Sequence, residues 1–438
     1  MTESPTHPRA ARRSLNRRPC TLDHDLPVLL LRLDHNVLHH GTVGAIRSLG
    51  RAGIEVHTQV EGPLAPAARS RYLHRAHPWL TSRDDEAALL LELDRCGAAI
   101  GRKALLLCTD DIGALFVAEH AAALAGRFLL PEQPAQLPAR VADKASLAAV
   151  CAELDIPHPQ TCLPSGVEEA AEAVDRFGLP LVAKWSRPWR LHTAPGLRST
   201  TLVHTREAAL HLAEEQSRAG SRLVLQRYLP GGKGLDWFFH GYFDRSSTCL
   251  VGATGLKIQA WPPHAGLTAM GRWLPNPEVE QLAHRLGKEL GYRGVLDLDL
   301  RRDPTTGRYH LLDFNPRLGA QFRLFTDDRR LDVVRAAHLD LSGRPVPALR
   351  PQYGRVLVAE NYSPLCLLRT VGRGGPQRHA PSEGVTDATG HAGARYGRVP
   401  TVEAAWFARD DLGPFLAMAH LFARRVGNEL VGRLPGSR

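Results

Sequence analysis

Gly294-Val-Leu-Asp297-Leu-Asp299-Leu-Arg-Arg302, a polar turn through Asp303-Pro304-Thr305-Thr306-Gly307, and then Tyr309-His-Leu-Leu-Asp313-Phe-Asn315-Pro316-Arg317 form the most informative stretch of this 438-residue chain. The pattern predicts two short strands joined by a turn. Side chains alternate along a strand, so Asp313, Asn315 and Arg317 share one face while Leu312, Phe314 and Pro316 take the other. Asp297 and Asp299 likewise share a face. Acids, an amide and an arginine brought to one sheet edge make an oxygen-donor site for a hard cation. Mg²⁺ suits it, because it accepts a few carboxylates and fills its octahedron with water and phosphate oxygens. The plain alternative is a solvated edge hairpin with acids on its exposed face.

The lysines weigh against that alternative. Only six of the 55 basic residues are lysine. A chain so biased towards arginine keeps lysine where a compact, flexible ammonium is preferred. Lys144 opens the helix-like run Asp143–Leu154, which stops at Asp155-Ile-Pro-His-Pro159. Lys184 ends the apolar strand Leu179-Pro-Leu-Val-Ala183, and Lys257 follows Val251-Gly-Ala-Thr-Gly-Leu256 in another strand-like run. Each lysine alone is an ordinary surface residue; their joint placement carries the weight.

The ordered set Asp143-Lys144, Ile156-Pro-His-Pro159, Leu179-Pro-Leu-Val-Ala-Lys184, Leu223-Val-Leu-Gln-Arg-Tyr-Leu-Pro-Gly231, Lys257, Asp299 and Asp313-Phe-Asn-Pro-Arg317 resembles the ATP-grasp superfamily over residues 140–325. The N-terminal stretch is similar to the domain that precedes this fold in carboxylate–amine ligases of the D-aspartate ligase type. The resemblance implies an α/β chain: an N-terminal open α/β (pre-ATP-grasp) domain, a two-lobed ATP-grasp fold and a C-terminal extension. The expected boundaries are a disordered basic tail over 1–25, the N-terminal domain over 26–139, a small lobe over 140–231, a metal-binding lobe over 232–345 and the extension over 346–438. It also implies ATP and two Mg²⁺ ions, with Mn²⁺ as a substitute.

By the same resemblance, Lys144 and Lys184 would hold the α- and β-phosphates and Lys257 the γ-phosphate. The backbone of Arg227, Tyr228 and Leu229 would read the adenine edge. Gln226 stands where the family often has an acid, near the base or ribose. Asp299, Asp313 and Asn315 would bind the metal ions, with Asp313 bridging. Arg317 would stabilise the transferring phosphoryl group together with Lys257. Asp297, displaced two residues from the family spacing, is the runner-up ligand or a structural acid. Between Lys184 and Thr200 the family's glycine-rich loop keeps only Gly196, with Pro188, Trp189, Pro195 and arginines added. There Arg190 and Arg198 suit either phosphate contacts or a carboxylate clamp, and Arg323 lies beyond Arg317 on the acceptor side.

The implied reaction is ATP-dependent joining of a carboxylate to an amine, on amino-acid or peptide-like substrates, through an acyl phosphate. Alternatives are another ATP-grasp activity, carboxylase or kinase-like phosphoryl transfer, and a non-catalytic nucleotide-binding regulator. Small-molecule carboxylate and amine partners follow, with room for a homodimer.

Bulk properties fit this reading. The length suits two or three domains with real cores. No run approaches the roughly 18 apolar residues of a membrane span, and no secretory signal is visible. Seven cysteines without metal or disulfide spacing suit a reducing, cytoplasmic setting. The net charge of +10 invites nucleic acid. Arg9, Arg12, Arg13, Arg17 and Arg18 carry much of it, and no base-stacking or helix-turn-helix motif follows. Nucleic acid is therefore not the expected partner. Elsewhere the pattern predicts a buried strand over 27–33, a turn at His39-His40-Gly41, a helix over 43–52 and a strand from Ile54. It also predicts a strand Ala104–Thr109 whose following Asp110-Asp111 cap a helix over 112–125. Further on come a proline-rich link over 131–138, an amphipathic helix over 278–290, a strand over 355–361 and a packed apolar helix over 413–433.

Overall fold

The computed structural model describes residues 21–362 and 401–431, apart from Thr81, Asp84, Pro195 and 262–265. Residues 1–20 of the expected basic tail and the last two residues of the expected terminal helix lie outside the described residues.

The N-terminal part is a parallel sheet of β1 (Val28–Leu31), β2 (Val56–Val60), β3 (Arg75–Pro78), β4 (Ala104–Cys108) and β5 (Phe128–Leu129), in the order β3-β2-β1-β4-β5. Its central strand, Val-Leu-Leu-Leu, is buried on both faces, as a doubly covered parallel sheet requires. The chain order reverses beside β1, so the carboxyl ends of β1 and β4 open onto a crevice, the place where open α/β sheets bind ligands. Asp110 occupies that crevice. One of its oxygens caps the helix Asp111–Glu119 through the Gly113 amide at 3.2 Å, and the other accepts from the amides of Leu33 and Asp34. The capping expected of Asp110 is what the structure has.

The helix after β1 spans His40–Gly50, three residues earlier than expected. His39 is its N-cap, with the imidazole Nδ1 accepting from the Thr42 amide at 3.2 Å. Histidine lies outside the usual capping set of Ser, Thr, Asp and Asn, so the start was hidden. This helix is sandwiched: Ile46 and Leu49 pack with Val333, Val334 and Ala337 of the helix Val333–Leu341, and with Tyr242 and Val251 of a second sheet.

The small lobe is an antiparallel sheet of β6 (Thr161–Cys162), β7 (Leu181–Trp185), β8 (Thr200–Val203) and β9 (Leu223–Arg227), ordered β6-β9-β7-β8. Helices Val167–Phe177 and Arg206–Glu214 cover one face, where Ala170, Ala173 and Ala209 meet Leu181, Ala183 and Leu225. Alternation then turns Lys184 to the other face.

The large lobe contains β10 (Asp236–Phe243), β11 (Cys249–Trp261), β12 (Leu267–Trp273), β13 (Gly294–Arg302), β14 (Tyr309–Asn315), β15 (Val356–Val358) and β16 (Val402–Ala404), ordered β14-β13-β10-β11-β12-β15-β16. The helix Pro277–Glu289 packs one face through Val279, Ala283 and Leu286. Helices Leu137–Ala142 and Lys144–Glu153 pack the same core through Val141 and Leu147 against Leu311 and Phe314. That contact fixes Lys144 over β14.

The segment expected to be an extension completes the large lobe: β15 pairs with β12, and β16 runs parallel to β15. The helix Gly413–Val431 then packs Phe415, Met418, Leu421 and Phe422 with Leu38, Val43 and Trp406. Arg47, buried in the first helix, donates to Asp411 Oδ2 at 2.9 Å and to the carbonyls of Trp406 and Asp411. Among the described residues no helix is long and apolar enough to cross a membrane.

Candidate active site

The hairpin β13–β14 sets Asp299 directly opposite Asp313 and Asp297 opposite Asn315, with an irregularity after Asp299. Like charges facing each other across a sheet repel. Here each carboxylate is answered by ammonium. Lys144 Nζ lies 2.8 Å and Lys184 Nζ 3.4 Å from Asp313 Oδ1, and Lys184 also donates to the Leu312 carbonyl at 2.9 Å. Lys257, reaching across from β11, places Nζ 2.6 Å from Asp299 Oδ1. The three lysines singled out in the sequence thus converge on the two acids, each from a different element.

Asp297 has another role. Its Oδ2 accepts from Arg317 Nη1 at 2.7 Å, Asn315 Nδ2 lies 3.4 Å away, and His240 Nε2 lies 3.2 Å from Oδ1. His240 is fully buried opposite Asp297 on β10. A Cβ at Gly319 would stand 2.1 Å from the His240 ring and 2.7 Å from the Asp297 carboxyl, so glycine is what lets the chain pass after Arg317. Arg317 Nε is also 3.4 Å from Asp111 Oδ1, which comes from the first turn of the helix at the parallel-sheet crevice. One guanidinium therefore joins the N-terminal domain to the acid-bearing hairpin.

The electrostatics follow. Burial would raise Asp313, but Lys144 and Lys184 outweigh it and hold its carboxyl well below the usual range. Asp297 is likewise held low, against burial, by His240 and Arg317. Asp299 goes the other way: burial, with Asp297 and Asp313 nearby, outweighs Lys257 and raises it. Burial, with Lys144 beside it, lowers Lys184. Lys144 and Lys257 are raised by their carboxylates despite burial. Asp299 and Asp313, with the Asn315 amide beside them, offer the hard oxygen donors a divalent cation takes.

The other expected residues divide. Gln226 is buried, and its side-chain amide donates to Thr161 Oγ1 at 3.1 Å, within the small lobe. Arg227 is exposed and its amide donates to the Gln160 carbonyl. Tyr228 OH accepts from the Gly231 amide at 3.3 Å. The Leu229 carbonyl accepts from Arg301 Nη1 at 2.9 Å, which pins the lobe junction to β13. Arg190 and Arg198 are exposed on the loop after β7. Arg323 donates to Glu403 Oε1 of β16 at 2.7 Å, a carboxylate it shares with Arg355, so its guanidinium faces the sheet edge. Asp111 and His240 were not expected. Their contacts with the site join residues far apart in the chain, and neither stands in a local motif. Beside Arg317, a partly open apolar crevice is lined by Leu106, Cys108, Val117, Tyr292 and Pro316.

No family model matches the chain. A D-aspartate ligase of Enterococcus faecium is 24% identical over 227 residues, 50% of this chain and 54% of the relative. The chain thus spans about half the length of the curated relative it matches. Among solved structures, N5-carboxyaminoimidazole synthetase from Staphylococcus aureus superposes with a TM-score of 0.57 at 13% identity, covering 82% of this chain and 89% of that one. An L-amino acid ligase from Bacillus licheniformis gives 0.55 at 14% identity, covering 76% and 79%. Biotin carboxylase from Campylobacter jejuni gives 0.54 at 12% identity, covering 74% and 72%. With its parallel-sheet domain, its antiparallel small lobe and its acid-bearing large sheet, the chain has the ATP-grasp fold and resembles the ligases built on it.

Proposed function

We propose that the protein is an ATP-dependent ligase that joins a carboxylate to an amine, on amino-acid or peptide-like substrates, through an acyl phosphate. One observation carries the reading: three lysines from three elements meet an Asp–Asp pair beside an arginine held from both sides. Charge on the transferring phosphoryl group is the main barrier in such chemistry, and fixed cations lower it. Lys144 and Lys184 would take the α- and β-phosphates and Lys257 the γ-phosphate, leaving Asp313 and Asp299 to hold Mg²⁺ with Asn315. The metal supplies charge neutralisation between phosphate oxygens. Arg317, oriented by Asp297 and Asp111, faces the oxygens of the transferring group and of the acyl phosphate. The amine then attacks the acyl carbon and phosphate leaves. The backbone from Arg227 to Leu229 suits the adenine edge, and the crevice beside Arg317 gives room for a substrate's hydrocarbon part.

The test is ADP and phosphate release by the purified chain with Mg²⁺, ATP and paired amino acids, dipeptides and small carboxylates, with products weighed by mass spectrometry. Release that requires both an acid and an amine, with a condensed product, supports the ligase. Phosphorylation of an acid or alcohol with no amine requirement would replace it with a kinase-like reading.

A further inference from the structure

At the opposite edge of the parallel sheet from β5, four side chains meet that the proposed chemistry does not use. Glu55, just before β2, and His57, in β2, lie two residues apart and so share a face. His74 stands just before β3, anchored by its amide to the Val56 carbonyl, and His77 lies within β3. His57 Nε2 is 2.9 Å and His74 Nε2 3.5 Å from the same oxygen, Glu55 Oε1. One donor atom from each of the three lies within 4.8 Å of the others.

We propose that Glu55, His57 and His74 form a binding site for a Zn²⁺-class cation on the N-terminal domain, with His77 and Arg102 orienting the ligands. Tetrahedral Zn²⁺ with bonds of about 2.0–2.1 Å keeps its donor atoms about 3.3 Å apart, and the two separations from Glu55 Oε1 bracket that value. Two imidazoles and a carboxylate select zinc and its neighbours over Mg²⁺ or Ca²⁺. Three protein ligands leave a fourth position for water.

The surroundings are those of a site with its ligands already aimed. His57 Nδ1 lies 3.0 Å from His77 Nε2, so when Nε2 binds metal the Nδ1 proton has an acceptor waiting. Arg102 donates to the other carboxylate oxygen, Glu55 Oε2, at 2.7 Å, which leaves Oε1 turned to the imidazoles. His74 is 56% exposed and opens the site to solvent, whereas His57 is buried. A bound ion would cross-link the edge strand β3 to β2.

The test uses the full chain, stripped with chelator and titrated with ZnCl₂ by calorimetry, and with CoCl₂ by visible absorption. Wild type is expected to take up one ion with a tetrahedral Co²⁺ spectrum. Glu55→Gln and His74→Ala, both at solvent-accessible positions, should lose that equivalent. His77→Phe, which removes only the orienting partner, should weaken it by about 10- to 100-fold. His57→Asn should also lose it, and a fold check by circular dichroism accompanies that buried change. Absence of the equivalent in wild type, or its persistence at unchanged affinity in both Glu55→Gln and His74→Ala, overturns the proposal. Neither outcome bears on the ligase reading, since these residues lie outside its machinery.

Discussion

Asp313→Asn separates two roles that one carboxylate plays. Asp313 holds both Lys144 and Lys184, at 2.8 and 3.4 Å. It is also the proposed bridging ligand for metal. Metal-free ATP meets it as a like charge and as a competitor for both lysines. Two unit charges 4 Å apart interact by about 4 kcal/mol at the effective dielectric of a protein surface. After desolvation, a charge-assisted contact nets about 1.5–3 kcal/mol. Asp313→Asn should therefore tighten ATP binding in EDTA by roughly ten- to a hundredfold. The same change should reduce Mg²⁺-dependent turnover by at least about 100-fold, because the bridging charge is gone. Calorimetry in EDTA and ADP release with Mg²⁺ read the two effects on one preparation. A variant that binds metal-free ATP no tighter than wild type, or turns over within about twofold of it, refutes the reasoning.

Other substitutions probe neighbouring contacts. Lys144→Ala and Lys184→Ala should each weaken MgATP binding by about ten- to a hundredfold by calorimetry, and unchanged affinity in both would remove the lysines from the phosphate site. Asp111→Asn should lower kcat by about tenfold while KM for ATP stays level, since it loosens Arg317 without touching phosphate; a raised ATP KM at full kcat would place Asp111 elsewhere. Arg198→Lys should raise the KM of the acid substrate and leave ATP alone, because lysine cannot reproduce a two-bond carboxylate clamp; loss of ATP affinity instead would make the loop a phosphate contact. Acid titration of stability has a defined sign: Asp313 is depressed in the folded state, so its contribution is present above the ordinary aspartate value of about 3.9 and is lost as pH falls through the folded value. The gap in unfolding free energy between wild type and Asp313→Asn, measured in urea, should be wide at pH 7 and begin to narrow only as pH falls below about 4, towards the depressed folded value. Arg47→Met should destabilise by about 3–5 kcal/mol in urea, since it strands a buried Asp411.

The hairpin was legible because period-two alternation is strict: once Asp313, Asn315 and Arg317 are on a strand, they must share a face. Lys184 was legible for the same reason, as the apolar residues around it face the small-lobe helices. Arg323 shows where such reading stops. Nothing near it announces that Glu403, 80 residues away, will take its guanidinium once the extension has joined the sheet as β16. Asp297 looked like a metal ligand by type, but its fate depends on His240 from another strand and on the gap left by Gly319. Asp111 read as a cap residue beside Asp110. Only the reversal of strand order beside β1 delivers it to Arg317.

The clasp between Arg47 and Asp411 has a consequence for how the molecule is made. The two residues are 364 positions apart, and the guanidinium is buried. At about 5–20 residues per second, a ribosome takes roughly 20–70 seconds to travel between those codons. Until almost the end of that interval the first helix carries a cation whose permanent neighbours, Trp406 and Asp411, have not been synthesised, and part of its apolar stripe waits for Val333, Val334 and Ala337. The first parallel strands can pair early, but the helix on their surface cannot settle until the last segment emerges. The N-terminal domain would then be the first to begin folding and among the last to finish, and a nascent chain stalled before Asp411 should expose that helix to chaperones or proteases.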